Sequence, residues 1–368
     1  MKNPAMAMGN GPLALFNGSY LGPKPTGIGV VARDLAAALS PELVTPLIPP
    51  LVDGRSPRGD DLPIPADLSP ATGRRGHWRR LQWTQQQLPR LMREQNASLL
   101  LSPLPEAPVL RGVRSVVLAH DLLPLRYPQA SPLLAYHLAY VPLVLHRAER
   151  VLCNSEATAR EVHHRLRVPL RKLVPIRLGF NPGSLRPLQR TREPFFLVLG
   201  RHDPHKNLAR ILQAFTALRD RTCTLHLVGP HDRRYTPQLQ ALADSLGIAN
   251  RCRWTAWVSD EERLELLNRC QALVIASLWE GFGLPALEAM ACGTAVIASQ
   301  GGALPEVVGN TATLIDPRQP LEIRDAMDAV LNDSAITAAA AINGPARAKL
   351  FNWADTGRQV EQLLQELA

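Results

Sequence analysis

The chain has 368 residues, 46% of them hydrophobic and 20% charged, with 41 Lys and Arg against 32 Asp and Glu. The length predicts two domains, because single cores rarely grow beyond about 250 residues, and the net charge of +9 suits an anionic partner without choosing among nucleic acid, a phosphorylated small molecule and an anionic membrane surface. Five widely spaced cysteines with no C-x-x-C pair argue against a disulfide framework and against a zinc site. The opening MKNPAMAMGNGPLALF lacks the charged start and apolar core of a signal peptide. The longest apolar run, PLLAYHLAYVPLVL (132–145), is too short to span a bilayer and contains His137 and Pro142. A reducing cytoplasm is the expected location.

In chain order, the strand candidates are 12–16, 43–48, 98–102, 115–120 and 150–154, then 195–200, 224–229, 251–257, 272–277, 294–299 and 312–316. Helical patterns fall between most of them, at 27–39, 207–218, 236–246, 260–270 and 321–331. Strands apolar on both faces that alternate with helices indicate parallel sheets covered on both sides. The alternation occurs twice, broken at 177–194 by a stretch with three prolines, two glycines and no apolar periodicity. The expected class is therefore α/β, with two Rossmann-like domains facing across a cleft. Their expected limits are 1–185 and 186–350, with the terminal helix 351–368 docking back on the first. Ligands of such sheets bind outside the carboxyl ends of the strands.

Residues 53–83 depart from this rhythm, being rich in Pro, Gly and Arg, and no acid occurs from Leu68 to Arg93. They read either as a solvated basic loop or as a patch for anionic lipid or a charged acceptor, with Arg74, Arg75, Arg79 and Arg80 beside Trp78 and Trp83.

Two constellations carry chemistry. In GRHDPHKN (200–207) a strand runs into a turn and a helix start, flanked by Arg201 and Lys206. Cations beside free helix N–H groups could meet a diphosphate, although an ordinary turn with solvated charges has the same look. In SLWEGFGLPALEAMAC (277–292), Glu280 lies in the loop after a strand and Glu288 within the following helix, eight positions on. Unpaired buried carboxylates are expensive, so a protein cation, a hydroxyl-rich ligand or water should meet them. Gly281 and Gly283 allow close backbone approach, and the amides from 282 to 284 face outward at the helix start.

The EGFGLPALE segment preceded by GR-x4-KN resembles the retaining glycosyltransferases of the GT-B fold, family 4, of mannosyltransferase-like type. PTGIGVVARDLAAAL (25–39), LAHDLLPLRYP (118–128), VLCNSEATAREV (151–162), GGALPEVVGNTATLIDP (301–317) and FNWADT (351–356) are also similar to that family, whereas residues 50–97 match nothing in it. The resemblance implies that Arg201 and Lys206 hold the donor diphosphate, that Glu280 contacts the donor sugar, and that Glu288 binds the nucleotide ribose. It implies further that the amides of Phe282, Gly283 and Leu284 meet sugar hydroxyls and phosphate, and that Gly27 and Gly29 approach the phosphate from the first domain. His120 would line the acceptor side near the reacting carbon, although a lone histidine at a strand end is as readily a hydrogen-bonded structural residue. Asp203 between the two cations departs from the family pattern.

The implied activity is retaining transfer of a hexose, mannose or glucose, from a GDP or UDP sugar to a glycan or lipid-linked acceptor, as in polysaccharide biosynthesis. Arg201, Lys206 and helix N–H groups would stabilise the leaving diphosphate without a metal or other cofactor, and no D-x-D pair is present. A site on the cytoplasmic side, peripheral at the inner membrane face, would fit a lipid-linked acceptor. Rival readings are a sugar-nucleotide epimerase or glycan phosphorylase on the same scaffold and, more remotely, a basic nucleic-acid binder; with only 5% aromatic residues and no recognised module, no nucleic acid is expected as partner.

Overall fold

Runs that are apolar at every position become strands buried on both faces, and two sheets of such strands organise the chain. The computed structural model describes residues 11–22, 27–50, 61–69, 72–110 and 112–368. The chain divides into two units, one built from the chain up to Gly179 together with Asn352–Ala368, the other from Phe180–Phe351. The first division falls ahead of the 185/186 boundary expected from the sequence.

The first unit carries β1 (Ala14–Asn17), β2 (Val44–Ile48), β3 (Leu62–Pro63), β4 (Leu99–Ser102), β5 (Ser115–Ala119), β6 (Arg150–Cys153) and β7 (Leu173–Pro175). Their order is β3-β2-β1-β4-β5-β6-β7 and every pairing is parallel. Leu99, Leu100 and Leu101 are wholly buried, as are Val116, Val117 and Leu118, and each such side chain contributes about 1.5–3 kcal/mol of hydrophobic stabilisation. Helices cover the faces because the parallel crossovers require them. One of them, Glu156–Leu166, starts at Ser155, whose hydroxyl accepts the amide of Thr158 at 3.0 Å.

The terminal helix Trp353–Leu367 packs within this same unit. Thr356 donates to the Arg177 carbonyl at 2.8 Å and Glu361 accepts the Ser40 amide at 2.5 Å. A Cβ on Gly357 would stand 2.4 Å from the Ala38 carbonyl oxygen, so glycine is what permits the close crossing over helix Gly27–Ala38.

Residues 73–86 correct the loop in the sequence reading of 53–83: they form a helix. Its inward face is Arg80, Trp83 and Thr84, a set that apolar periodicity does not register. Arg80, 3% exposed, gives Nε to Glu106 Oε2 at 2.7 Å and so faces the interior of its unit. Arg79 pairs with Asp67, while Arg75 and Trp78 are exposed. The Arg74 side chain and residues 51–60 lie outside the described residues. Among the described residues no helix is long and apolar enough to cross a membrane.

The second unit carries β8 (Phe195–Leu199), β9 (Thr224–Val228), β10 (Cys252–Thr255), β11 (Ala272–Ile275), β12 (Ala295–Ser299) and β13 (Thr313–Ile315). They run parallel in the order β10-β9-β8-β11-β12-β13. Winding reverses between β8 and β11, as it does between β1 and β4 in the first unit. The carboxyl end of such a switch point is where ligands bind in doubly wound sheets.

Candidate active site

Beyond β8 the backbone leaves through Gly200, at φ +142°, into a turn Pro204–Lys206 that delivers the helix Leu208–Thr216. Asn207 occupies the left-handed region at φ 62°. Its buried amide donates to the carbonyls of Ala276 at 2.9 Å and Pro317 at 2.6 Å. The Leu278 amide donates to the His205 carbonyl at 2.7 Å. These bonds tie the turn after β8 to the loop after β11.

The tie brings Lys206 Nζ within 2.7 Å of Glu280 Oε1. Ser277 Oγ donates to the same carboxylate oxygen at 2.5 Å. Glu280 is buried, so the loop positions a charged group that its own surroundings already satisfy. Gly301 and Gly302 wedge beneath it: a Cβ on Gly302, at φ +67°, would stand 2.1 Å from the Glu280 carbonyl oxygen. The Ala303 amide donates to that carbonyl at 2.9 Å.

Gly283, at φ +108°, caps the helix Leu284–Ala291 with no side-chain cap. The amides of Phe282, Gly283 and Leu284 donate to no backbone or side-chain acceptor among the described residues. Free donors of this kind, at the positive end of a helix, favour an anion or a hydroxyl. Glu288 sits within this helix and accepts from Arg263 Nη1 at 3.0 Å. Burial pushes its carboxyl above the usual carboxylate range, and the Arg263 charge opposes that shift.

Arg201 is 61% exposed and faces two acids, Asp203 at 3.4 Å and Asp232 at 3.8 Å. Hydrogen bonds from Arg234 hold the Asp232 carboxyl well below the usual range. Arg201 and Lys206 thus both belong to the carboxyl end of the second sheet, each opposite an acid. Both glutamates raised by the sequence, Glu280 and Glu288, are met by protein cations in this structure.

His120, Gly27 and Gly29 stand in the first unit. His120 follows β5, is buried, and donates Nε2–H to the Pro103 carbonyl at 2.8 Å. Burial lowers its pKa, and the Pro103 bond partly offsets the effect. It is hydrogen-bonded, yet it also lines a cavity of about 310 Å³. Gly27 is the exposed first residue of its helix, with open space where a Cβ would project, and Gly29 is buried one position further in than Ile28.

Several positioning residues escaped the sequence reading: Asn207, Ser277, Arg263 and the Gly301–Gly302 pair. The paired glycines after a buried strand were a visible signal; the partners of Glu280 and Glu288 were not. Among the described residues, no group of three or more His, Cys, Asp or Glu is placed to hold a metal.

Comparison with known proteins agrees with this arrangement. The profile of the glycosyl transferases group 1 matches residues 186–347, and that of glycosyltransferase family 4 matches residues 25–183. The serotype-specific mannosyltransferase WbdA of Escherichia coli is 27% identical over 66% of this chain and 32% of its own length. The MMP alpha-(1->4)-mannosyltransferase of Mycolicibacterium hassiacum is 31% identical over 59% of this chain and 54% of its own. The chain therefore spans between a third and about half of the length of these relatives. Among solved structures, sucrose-phosphate synthase of Thermosynechococcus elongatus superposes with TM-score 0.74 at 22% identity, over 97% of this chain and 99% of that one. HepE of Anabaena, solved with UDP-glucose, superposes with TM-score 0.71 at 19% identity, over 96% and 99%. With one profile on each sheet unit and the doubly wound strand order in both, the chain belongs to the family 4 glycosyltransferases and has the GT-B fold.

Proposed function

We propose that the protein is a retaining hexosyltransferase that moves mannose or glucose from a nucleoside-diphosphate sugar to a glycan or lipid-linked acceptor. The observation that carries this reading is the cation–acid–amide cluster at the β8/β11 switch point: Lys206 on Glu280 at 2.7 Å, beside the free amides of residues 282–284. A departing diphosphate builds negative charge, and fixed donors already aimed at that spot stabilise it without reorganisation. Lys206 exchanges its carboxylate partner for phosphate oxygen, and Arg201, exposed, swings from Asp203 to the same group. Glu280, released from Lys206, accepts a donor-sugar hydroxyl. Glu288 accepts a ribose hydroxyl while keeping Arg263.

With these cations to neutralise the leaving group, the reading assigns no divalent ion to the reaction. HepE, whose structure holds UDP-glucose, shares the fold, and two mannosyltransferases are among the similar sequences; together they support a hexose on a nucleoside diphosphate as the donor class. The transfer is tested by incubating the protein with GDP-mannose or UDP-glucose and methyl α-D-mannopyranoside, in the presence of EDTA. Formation of a disaccharide with the donor's anomeric configuration, read by NMR, supports the reading. Epimerised nucleotide sugar without transfer, or sugar phosphate formed only with inorganic phosphate, would replace it with the epimerase or phosphorylase reading.

A further inference from the structure

The loop Glu280–Gly283 rests on two neighbours that are distant from it in sequence. The first is the short helix Leu304–Val308. Just ahead of that helix, the Ala303 amide donates to the Glu280 carbonyl at 2.9 Å. Leu304 packs so near Gly283 that a Cβ there would stand 2.7 Å from Leu304 Cδ2. The second neighbour is Phe351, 3% exposed. Its ring meets the buried ring of Phe282 with centroids 5.9 Å apart and planes at 71°, the edge-to-face arrangement that ring quadrupoles favour.

Both neighbours lead to one residue. Arg347, near the end of the helix Ser334–Ala348, donates Nε to the Val307 carbonyl at 2.9 Å and Nη2 to the Glu306 carbonyl at 2.6 Å. The last carbonyls of a helix find no donor within it, and the guanidinium fork supplies one to each. The same guanidinium lies over the Phe351 ring, 5.5 Å from its centroid. Gly309 makes room for it, since a Cβ there would stand 3.2 Å from Arg347 Cζ. The Phe351 backbone is fixed as well. Phe351 closes the second unit, and its carbonyl accepts the amide of Phe180, the residue that opens it, at 3.0 Å.

We propose, resting on the hexosyltransferase reading above, that Arg347 and Phe351 are positioning residues for sugar transfer. Through Phe282 and the helix Leu304–Val308 they fix where Glu280 and the amides of 282–284 stand. They thereby govern the rate of the transfer step and leave the hold on the nucleotide to Lys206, Arg201 and Glu288. A displacement of about 1 Å at reacting groups costs about 100-fold in rate, so support from behind the loop is enough to matter.

The test compares Arg347→Met, Phe351→Leu and Arg251→Met with the wild-type full chain. Arg251 is the matched control: its guanidinium also lies over a buried ring of this unit, Phe215 at 4.5 Å, but at the amino end of β10, away from the site. Three quantities are read: turnover of GDP-mannose or UDP-glucose with methyl α-D-mannopyranoside as acceptor, calorimetric affinity for GMP and UMP, and hydrogen exchange of residues 300–308. Arg347→Met should lower kcat about 100-fold and Phe351→Leu about tenfold, each with monophosphate affinity within about twofold of wild type. The 300–308 segment should exchange about tenfold faster in Arg347→Met. Arg251→Met should keep both its kcat and that exchange near wild type, even at an equal loss of melting temperature. Wild-type turnover in Arg347→Met overturns the inference, as does an equal loss in Arg251→Met or a fall in monophosphate affinity that matches the fall in rate. Where Arg347→Met does not fold, Phe351→Leu decides by the same criteria. A wild type that turns over neither donor sinks the transferase reading and the catalytic half of this inference with it; the exchange rates then still decide whether Arg347 holds the loop.

Discussion

Gly302 and Gly247 have almost the same backbone, φ +67° and +68°, yet differ in the space around them. A Cβ on Gly247 would meet nothing within 4 Å, whereas one on Gly302 would lie 2.1 Å from the Glu280 carbonyl oxygen and 2.8 Å from its nitrogen. Gly247→Ala should therefore show only the left-handed penalty, about 1–2 kcal/mol. Gly302→Ala adds a clash with backbone that cannot rotate away, and forced shifts of this kind cost about 1–3 kcal/mol more. At about 3 °C per kcal/mol for a domain of this size, the two losses correspond to about 3–6 °C and about 6–15 °C. The clash must push the Glu280 loop by a large fraction of an ångström, so transfer should fall by about 100-fold in Gly302→Ala and stay near wild type in Gly247→Ala. Differential scanning calorimetry and the transfer assay read both quantities. Equal melting temperatures and equal rates for the two variants would refute the claim that Gly302 seats Glu280.

Other expectations follow the same logic. Glu106→Gln leaves the buried Arg80 side chain without its anion and should destabilise the first unit by about 3–5 kcal/mol, seen as an earlier melting transition. Lys206→Met removes one charge-assisted contact to the diphosphate, worth about 1.5–3 kcal/mol, and should weaken nucleoside diphosphate binding about 10- to 150-fold by calorimetry while the monophosphate changes little. Glu280→Gln frees Lys206 from its carboxylate and should leave diphosphate affinity equal or tighter while transfer is lost; weaker diphosphate binding would contradict the exchange of partners. His226, stacked on Phe195 at 4.2 Å, has its pKa lowered to about 4 by burial and then by the Arg253 charge. The unfolded chain binds that proton first, so the stability it contributes is complete above about pH 6.5 and is lost as pH falls toward 4. The unfolding free energy from urea titrations should fall by about 2 kcal/mol from pH 7 to pH 5, and His226→Phe should remove that part of the slope.

The strands were legible because fully buried parallel strands read as unbroken apolar runs; LLLS at 99–102 and ALVI at 272–275 need no other signal. β3 and β7 were missed for the opposite reason. They are two- and three-residue edge strands, each ending in proline, and too short to show a pattern. The helix Gly73–Gln86 was missed because its inward face is held by an ion pair rather than by apolar spacing. At the site, residue types and spacing located Lys206, Glu280 and Glu288 on their elements. What spacing cannot convey is who meets whom: Lys206 and Glu280 are 74 positions apart, and Arg263 reaches Glu288 across 25. Only the strand order β8-β11 closes the first gap, and strand order is a tertiary property.

The claim that Lys206 and Glu280 form a donor-diphosphate site is tested most directly by thermal stability against GDP, UDP, ADP and their hexose conjugates, with and without EDTA. A ligand at about 100 times its Kd adds about 2.7 kcal/mol to the native state. The account predicts that one nucleotide family raises the melting temperature, that EDTA leaves the rise intact, and that Lys206→Met cuts it to about half or less. No rise with any nucleotide, or a rise that survives Lys206→Met unchanged, would contradict it.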